Sequence, residues 1–383
     1  MFKPVDQRRP RLLQFLLLQR FSMLAFTSAV EPLRTANRLA GQTLYDWEIL
    51  TTTGTAAVAS NGIHVLPDST LGEERPDADA VVVCAGLGME GYDSPEVTRW
   101  LRRHARRGVP VGGLCTGPLA LAAAGLLKGY RCTIHWENVE SFVEQFPDLA
   151  ITATLYEIDR DRFTCAGGTS ALDMMIAIIR EEHGRALAVR VADALIHTGL
   201  RHPEDPQRVA LRERIGVSDP KVLAAIAHME AHLENPVPVE VLASQIRVSH
   251  RQLERLFQKH LGASPSRYYL RLRLQRARSL LAQTSMTVLQ VAVACGFSSA
   301  SHFSKCYRQE FGQAPRRWRL APEPLRTTPT SGTAPSAPLP DDAPADVVDV
   351  PLAVELDVLN DLDPAGERAT LPDPGDDPST PAP

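Results

Sequence analysis

Cysteine is scarce in this chain, and its spacing excludes a disulfide-rich fold. The 383 residues contain six cysteines, and none of them forms a Cys-x-x-Cys pair. Disulfide frameworks and structural zinc sites need closely spaced cysteines. The pattern is typical of reduced thiols in a cytoplasmic protein, and we expect neither a metal nor another cofactor. The six positions are Cys84, Cys115, Cys132, Cys165, Cys295 and Cys306.

Long apolar runs are also absent, and this excludes a typical membrane-spanning helix. No apolar stretch reaches the roughly 18 residues that such a helix requires. The stretch LLQFLLLQRF follows the basic RRPR, as in a signal peptide, but Gln14, Gln19 and Arg20 interrupt it. No small-residue cleavage site follows either. We interpret the stretch as a first buried strand and expect a cytoplasmic protein with no membrane partner.

Charge is distributed unevenly, although the chain as a whole carries only −4. Residues 327–383 contain twelve acidic residues and one arginine, with abundant Pro and Ala and no apolar periodicity. This composition predicts a disordered acidic tail over residues 321–383. Residues 216–319 contain fifteen Lys/Arg and only six Asp/Glu. A basic block of this size predicts a polyanionic partner.

Apolar strands and amphipathic helices alternate through the first half of the chain. This alternation predicts an α/β domain with helices on both faces of a mostly parallel, doubly wound sheet. Ligands bind such sheets at the carboxyl ends of the strands, where Gly86, Cys115 and Trp136 are predicted to lie. The predicted elements are strands Arg11–Leu18, Trp47–Thr52, Ala80–Gly86, Val109–Leu114 and Arg131–Trp136, a hairpin over Ile151–Ala166, and helices Ser28–Leu39 (capped by Thr27 or Ser28), Glu96–Arg107, Thr169–Glu182 and Arg185–His197.

The stretch VPVGGLCTGPLALAAAGLL, residues 109–127, places Cys115 on a tight turn between a strand and a helix. Enzymes hold a nucleophile in this way, and a helix N-terminus lowers the pKa of a thiol. The same turn also occurs where a small residue is needed for packing alone. A third interpretation is the floor of a ligand pocket, where the N–H groups of Cys115, Thr116 and Gly117 bind a carboxylate.

Two stretches near the C-terminus share one pattern: a short helix, a polar turn, a second helix that begins at a serine, and then Gly-x-x-Pro. They are VEVLASQIRVSHRQLERLFQKHLGASP and TVLQVAVACGFSSASHFSKCYRQEFGQAP, 49 residues apart. Small residues at Ala243 and Ala292 let the two helices of each unit cross closely. An Arg-rich helix between the units holds both toward one face of DNA, about one helical turn apart. The pattern predicts an all-α domain with two helix-turn-helix units.

Each second helix has an apolar face and a polar face at 100° per residue. The polar faces carry Arg, Lys, Gln, Ser and His, and Arg and Gln read guanine and adenine edges in the major groove. A solvated basic face on an ordinary bundle is the alternative, but the repetition in tandem favours DNA binding. The predicted DNA-binding residues are Ser249, His250, Arg251, Gln252, Arg255, Lys259, Ser299, Ser301, His302, Lys305 and Arg308.

Residues 218–320 resemble the DNA-binding domain of AraC-type regulators, chiefly through the pattern between Ala292 and Pro315. Residues 10–185 resemble class I glutamine amidotransferases and PfpI-type proteases, through FSMLAFTSAVEPLRTANRL, the CAG strand end, GGLCTGPLALAAAGLLKG and TIHW. The resemblance implies a flavodoxin-like, amidotransferase-like sensor domain (1–185), a linker (186–217), a DNA-binding domain (218–320) and the tail. Similar regulators respond to arginine, carnitine or glycine betaine.

The resemblance also implies that catalytic residues are missing. PfpI-type enzymes carry His directly after the cysteine, where this chain has Thr116, and the connection TCAGGTSALD lacks the His and Glu of amidotransferases. His135 is the only candidate base. We therefore favour a ligand pocket that selects a zwitterion with a cationic group. Its predicted residues are Cys115, Thr116, Gly117, His135, Trp136, Glu31 and Phe26.

These patterns together predict a non-enzymatic, sequence-specific transcriptional regulator. We expect an activator of amino-acid or quaternary-amine catabolism genes that forms a homodimer. Its expected partners are promoter DNA, RNA polymerase and a small nitrogenous effector. The alternative is a thiol-dependent amidohydrolase or protease fused to a DNA-binding domain, which alkylation of Cys115 would inactivate.

Overall fold

The computed structural model describes residues 9–89, 92–197 and 199–318. The predicted acidic tail therefore lies outside the described residues. Eleven strands occur in the described part of the chain, and seven of them form one sheet. The strands are β1 (Arg11–Leu17), β2 (Tyr45–Thr51), β3 (Ala57–Val58), β4 (His64–Val65), β5 (Ser69–Thr70), β6 (Ala80–Cys84), β7 (Val111–Leu114), β8 (Arg131–Cys132), β9 (Ala150–Ile151), β10 (Tyr156–Asp159) and β11 (Arg162–Cys165).

The main sheet has the strand order β10-β11-β7-β6-β1-β2-β5. All neighbouring pairs are parallel except the hairpin of β10 and β11 at one edge. β1 and β6 lie in the middle, and every residue of both is buried. This burial explains why apolar residues occupy both faces of these strands, interrupted in β1 only by Arg11 and Gln14.

Helices cover both faces of the sheet, which confirms the predicted doubly wound α/β fold. Phe15 of β1 packs in one core with residues of α1, α5 and α6, whereas its neighbour Leu16 packs in the second core with residues of α2, α3 and α4. Adjacent residues of a strand point to opposite faces, so a strand that is buried on both faces supplies both cores. The helices are α1 (Met23–Ala40), α2 (Pro95–Arg106), α3 (Pro118–Ala123), α4 (Val139–Gln145), α5 (Ser170–His183) and α6 (Arg185–Ala194).

Two predicted elements are wrong in their bounds. The first helix begins at Met23, because the Ser22 hydroxyl caps it by accepting the N–H of Ala25 at 3.3 Å. Thr27, a predicted cap, lies inside the helix and donates its hydroxyl to the Met23 carbonyl at 2.9 Å. The predicted strand Arg131–Trp136 ends at Cys132, and Trp136–Asn138 forms a 3-10 helix.

The rest of the described chain is helical. The short helices α9 and α12 precede α10 and α13, which confirms two helix-turn-helix units. Each unit has its own apolar core, and the long helix α11 contacts α8 and α10 on one side and α12, α13 and α14 on the other. The helices are α7 (Leu211–Ile215), α8 (Pro220–Ala231), α9 (Val239–Gln245), α10 (His250–Leu261), α11 (Pro265–Gln283), α12 (Val288–Ala294), α13 (Ala300–Phe311) and α14 (Pro315–Trp318).

None of the helices within the described ranges is both long and apolar enough to cross a membrane. The longest helix, α11, carries five arginines along its 19 residues.

Candidate nucleic-acid interface and ligand site

Helix α10 presents a basic face to solvent. Its N-terminus is fixed by Ser249, whose hydroxyl accepts the N–H of Gln252 at 3.2 Å. Leu253 and Phe257 are fully buried on the opposite face. The remaining predicted residues are on the surface: Arg251, Arg255, Lys259 and His250 are exposed, and Gln252 is half-buried. The helix therefore projects four basic side chains and one amide away from its core.

Helix α13 has the same construction. Ser299 caps it through the N–H of His302 at 3.2 Å, and Phe303 and Tyr307 face the core. His302 is exposed, but its ring Nε2 lies 3.4 Å from the Cys306 thiol. This contact holds His302 beside the helix instead of projecting it outward. The predicted residues Ser299, Ser301, Lys305 and Arg308 are exposed.

Arginines of α11 fix the second unit in place. Arg273 donates to the carbonyls of Cys295 and Gly296 at 2.8 and 2.7 Å, and its guanidinium lies 4.2 Å from the centre of the Phe297 ring. Arg271 forms an ion pair of 2.8 Å with Glu310 in α13. The Arg-rich sequence of α11 therefore serves partly as internal bracing.

A groove of about 680 Å³ lies along α13, between the start of α12 and α14. The predicted residues Ser301 and Arg308 line it, together with Thr287, Ser304 and Arg316, which the sequence analysis did not select. The hydroxyls and the Arg316 guanidinium in this groove are suited to phosphate oxygens, next to Arg308 on the exposed face of α13. The groove thus extends the candidate DNA surface beyond the polar face of α13.

The turn after β7 holds Cys115 in the left-handed conformation, with φ of 60°. Its N–H donates to the Cys165 carbonyl at 3.1 Å, and the Gly117 N–H donates to the Leu114 carbonyl at 2.9 Å. Two of the three N–H groups predicted to bind a ligand carboxylate therefore already have partners within the protein. The role of Cys115, Thr116 and Gly117 in a ligand pocket stays a prediction.

The Cys115 thiol is not activated as a nucleophile. Burial, helped by the neighbouring Cys165, raises its pKa to about 12, against the Thr116 N–H, which lowers it. Gly167 lies so close that a Cβ there would be 3.1 Å from the sulfur. Within the described residues, no hydrogen bond joins this thiol to an imidazole. The thiol is therefore protonated at neutral pH.

His135 and Trp136 lie directly beside this turn. The His135 N–H donates to the Cys115 carbonyl at 3.3 Å, which ties the two predicted residues together through the backbone. Burial lowers the pKa of the His135 imidazole, against the charge of Glu137, so the ring is neutral at pH 7. Trp136 is 39% exposed, and the guanidinium of Arg208 lies 4.5 Å from the centre of its ring.

Phe26 and Glu31, also predicted to bind the ligand, have contacts of their own. Phe26 is 6% exposed and packs edge-on against Phe15 and Phe21, with ring centres 5.8 Å away in both cases, so it belongs to the core. Glu31 pairs with Arg34 at 2.7 Å on the surface of α1. An interaction between residues three apart on one helix explains the position of this carboxylate without a ligand.

The chain between the two domains is anchored to the α/β domain, which sequence reasoning missed. Over residues 199–208, called here the anchored segment, Arg201 binds the buried carboxylate of Asp173 at 2.6 Å. The Leu155 N–H donates to the Pro203 carbonyl at 2.7 Å. The amide of Gln207 donates to Thr133 Oγ1 and to the carbonyls of Ile134 and Thr154 at 3.0, 3.1 and 2.7 Å. This segment ends beside Trp136.

Comparison with known proteins gives matches over both halves of the chain. Residues 15–181 match the DJ-1/PfpI family, and residues 242–321 match a helix-turn-helix domain family. The HTH-type transcriptional regulator GbdR of Pseudomonas aeruginosa is 47% identical over 313 residues, which is 82% of this chain and 85% of that protein. The HTH-type transcriptional regulator CdhR of the same species is 45% identical over 324 residues, 85% and 95% of the two chains.

A solved structure of an AraC family transcriptional regulator from Pseudomonas putida is 32% identical and covers 49% of this chain and all of that one, with a TM-score of 0.45. The HTH-type transcriptional regulator GlxA of Rhizobium meliloti is 38% identical over 311 residues, 81% of this chain and 96% of that protein. The curated relatives thus match this chain across both of its domains.

Proposed function

Since the chain belongs to the AraC-type transcriptional regulators that carry a DJ-1/PfpI domain, we propose that it reads promoter DNA with α10 and α13 while its α/β domain senses a small cationic effector. One observation carries the first part. Two serine-capped helices each bury one apolar face in a separate core and expose a basic face. A helix presented in this way fits the major groove.

The roles of the exposed residues follow from their chemistry. Arg251, Gln252 and Arg255 are suited to base edges on one half-site, and Arg308 to base edges on the other. Lys259, at the C-terminal end of α10, is suited to phosphate. Removing a base-reading arginine costs roughly 1–3 kcal/mol, which is roughly 5- to 150-fold in Kd, and relaxes sequence preference.

Fluorescence anisotropy with a cognate promoter fragment and a scrambled fragment tests these roles. Arg255→Ala and Arg308→Ala should weaken binding to the promoter fragment far more than to the scrambled one. Arg99→Ala is the matched control, because it removes an exposed arginine of α2 with the same change in charge. Equal weakening on both fragments would show that these arginines bind phosphate only.

The effector site is proposed at the Cys115 turn and the 3-10 helix. Its support is the short backbone link from His135 to Cys115 and the exposed ring of Trp136. A neutral imidazole donates to a carboxylate, and an indole face attracts a cation. Arginine, carnitine and glycine betaine combine both groups. A thermal-shift panel of these compounds tests the site, because only a ligand that binds the native state raises the melting temperature.

The proposal also covers the location of the protein, its oligomeric state and its effect on transcription. We place it in the cytoplasm as a homodimer that activates transcription through RNA polymerase when the effector is bound. The thiol-dependent hydrolase is disfavoured because the pKa of Cys115 is raised rather than lowered. Light scattering of the purified protein tests the dimer, and a reporter assay with and without effector tests activation.

A further inference from the structure

Trp136 already has a cation on its face. The guanidinium carbon of Arg208 lies 4.5 Å from the ring centre, well within the range of a cation–π interaction. Trp136 is one of the large apolar side chains left exposed in the described chain, yet the face toward Arg208 is covered. The position that a cationic ligand would take is therefore occupied by the protein itself.

A carboxylate lies close to Arg208 as well. Its Nη1 lies 4.0 Å from Glu230 Oε1. Burial and then Arg214 lower the pKa of Arg208, against the carboxylates of Glu230, Glu137 and Glu140, which raise it. An aromatic face together with carboxylates is the arrangement that recognises guanidinium and quaternary ammonium groups.

Arg208 also lies at a junction in the chain. Its neighbour Gln207 is fixed to the α/β domain by three hydrogen bonds. A few residues later, Leu211 packs on the core of the first helix-turn-helix unit. The Arg208–Trp136 contact is therefore the last anchor on the α/β domain before the chain enters the DNA-binding domain.

The chain that follows Trp136 also contacts the DNA-binding domain. Helix α4 follows the 3-10 helix directly, and its Glu140 forms an ion pair with Arg276 of α11 at 3.0 Å. Helix α11 contacts both helix-turn-helix units. Trp136 is thus connected to the DNA-binding domain in two ways. One runs through Arg208 to Leu211, and the other runs along the chain to Glu140 and its ion pair with Arg276.

We propose that the cationic group of the effector replaces Arg208 on the Trp136 ring and thereby releases the C-terminal end of the anchored segment, next to the DNA-binding domain. This inference rests on the proposed function, and it adds an internal competitor for the effector's cationic group. Because the site is open only in the fraction of molecules where Arg208 is displaced, the apparent affinity for a cation is reduced by that fraction.

The first test removes the competing side chain of Arg208 and uses tetramethylammonium as the probe. Binding is measured by the tryptophan fluorescence of the full chain. Arg208→Ala should bind tetramethylammonium roughly 3- to 10-fold more tightly than wild type, and Arg208→Lys should lie between them. Arg212→Ala is the matched control, because this exposed arginine contacts Ser218 and no ring. A neutral probe of similar size, 2,2-dimethylpropanol, should bind Arg208→Ala no more tightly than it binds wild type.

The second test measures release by hydrogen exchange in peptides from residues 199–216. Exchange should be faster in Arg208→Ala than in Arg212→Ala, and tetramethylammonium should speed it in wild type. Equal probe affinities in the two variants, including no detectable binding in either, would overturn the cation site. Equal hydrogen-exchange rates in Arg208→Ala and Arg212→Ala would overturn the proposed release of the segment. Neither result depends on whether DNA is bound, so failure of the proposed function is detected separately by the anisotropy assay.

Discussion

Replacing Cys115 by serine should leave the response to effector largely intact. Burial raises the pKa of this thiol to about 12. At pH 7 roughly one molecule in 100,000 then carries the thiolate, against roughly one in 100 for a cysteine with the ordinary pKa of 9.0. The pool of nucleophile is therefore smaller by about three orders of magnitude. A function that does not use this pool should survive replacement of sulfur by oxygen.

A promoter reporter and an alkylation assay together decide this prediction. Cys115→Ser should retain activation across effector concentrations, whereas Cys115→Phe should lose it and still bind DNA, because a large ring has no room beside Gly167. Iodoacetamide should modify Cys115 slowly, with a rate that still rises above pH 10. A folded, DNA-binding Cys115→Ser protein without a response would refute the reasoning, as would rapid alkylation below pH 8.

Three further predictions concern stability. Gly167→Val should lower the free energy of unfolding by more than about 2 kcal/mol in a urea titration, because φ is +88° and a Cβ would lie 2.7 Å from that of Cys115; an unchanged midpoint would contradict the close approach. Asp173→Asn should cost about 2–4 kcal/mol in the same assay, since it leaves Arg201 without its buried carboxylate; a loss below 0.5 kcal/mol, on the order of a surface substitution, would contradict this. The folded pKa of Cys115 and Cys132 is about 12 against an ordinary 9.0, so the unfolded thiols ionise first, and the melting temperature should fall as pH rises from about 9 to 12. A melting temperature that rises over this range would be inconsistent with buried neutral thiols.

Sequence patterns correctly predicted the features that depend only on residues close to one another in the chain. The faces of α10 and α13 followed from helical periodicity, because a helix fixes the direction of each side chain from its neighbours in sequence. The start of α1 was misplaced, since Ser22 and Thr27 are both possible caps and the choice depends on packing of the preceding loop. The strand predicted over Arg131–Trp136 ended early, because β8 pairs only with β9 and not with the main sheet.

The ligand site was less predictable, because its contacts are distant in sequence. The N–H of Cys115 is satisfied by Cys165, fifty residues away in the chain. Arg208 reaches Trp136 only because Gln207 is anchored to the α/β domain. No periodicity or motif marks such a pair. The sequence therefore indicated the residue types of a pocket but not the partners that already occupy it.

Selection of bound sequences from a random DNA library by the full-length protein tests the central claim most directly. Wild type should enrich a bipartite motif whose two half-sites lie about 10 base pairs apart, one for α10 and one for α13. Arg255→Ala should lose preference in one half-site and Arg308→Ala in the other, while Arg99→Ala keeps both. No enriched motif, or one motif shared unchanged by all four proteins, would contradict sequence reading by these two helices.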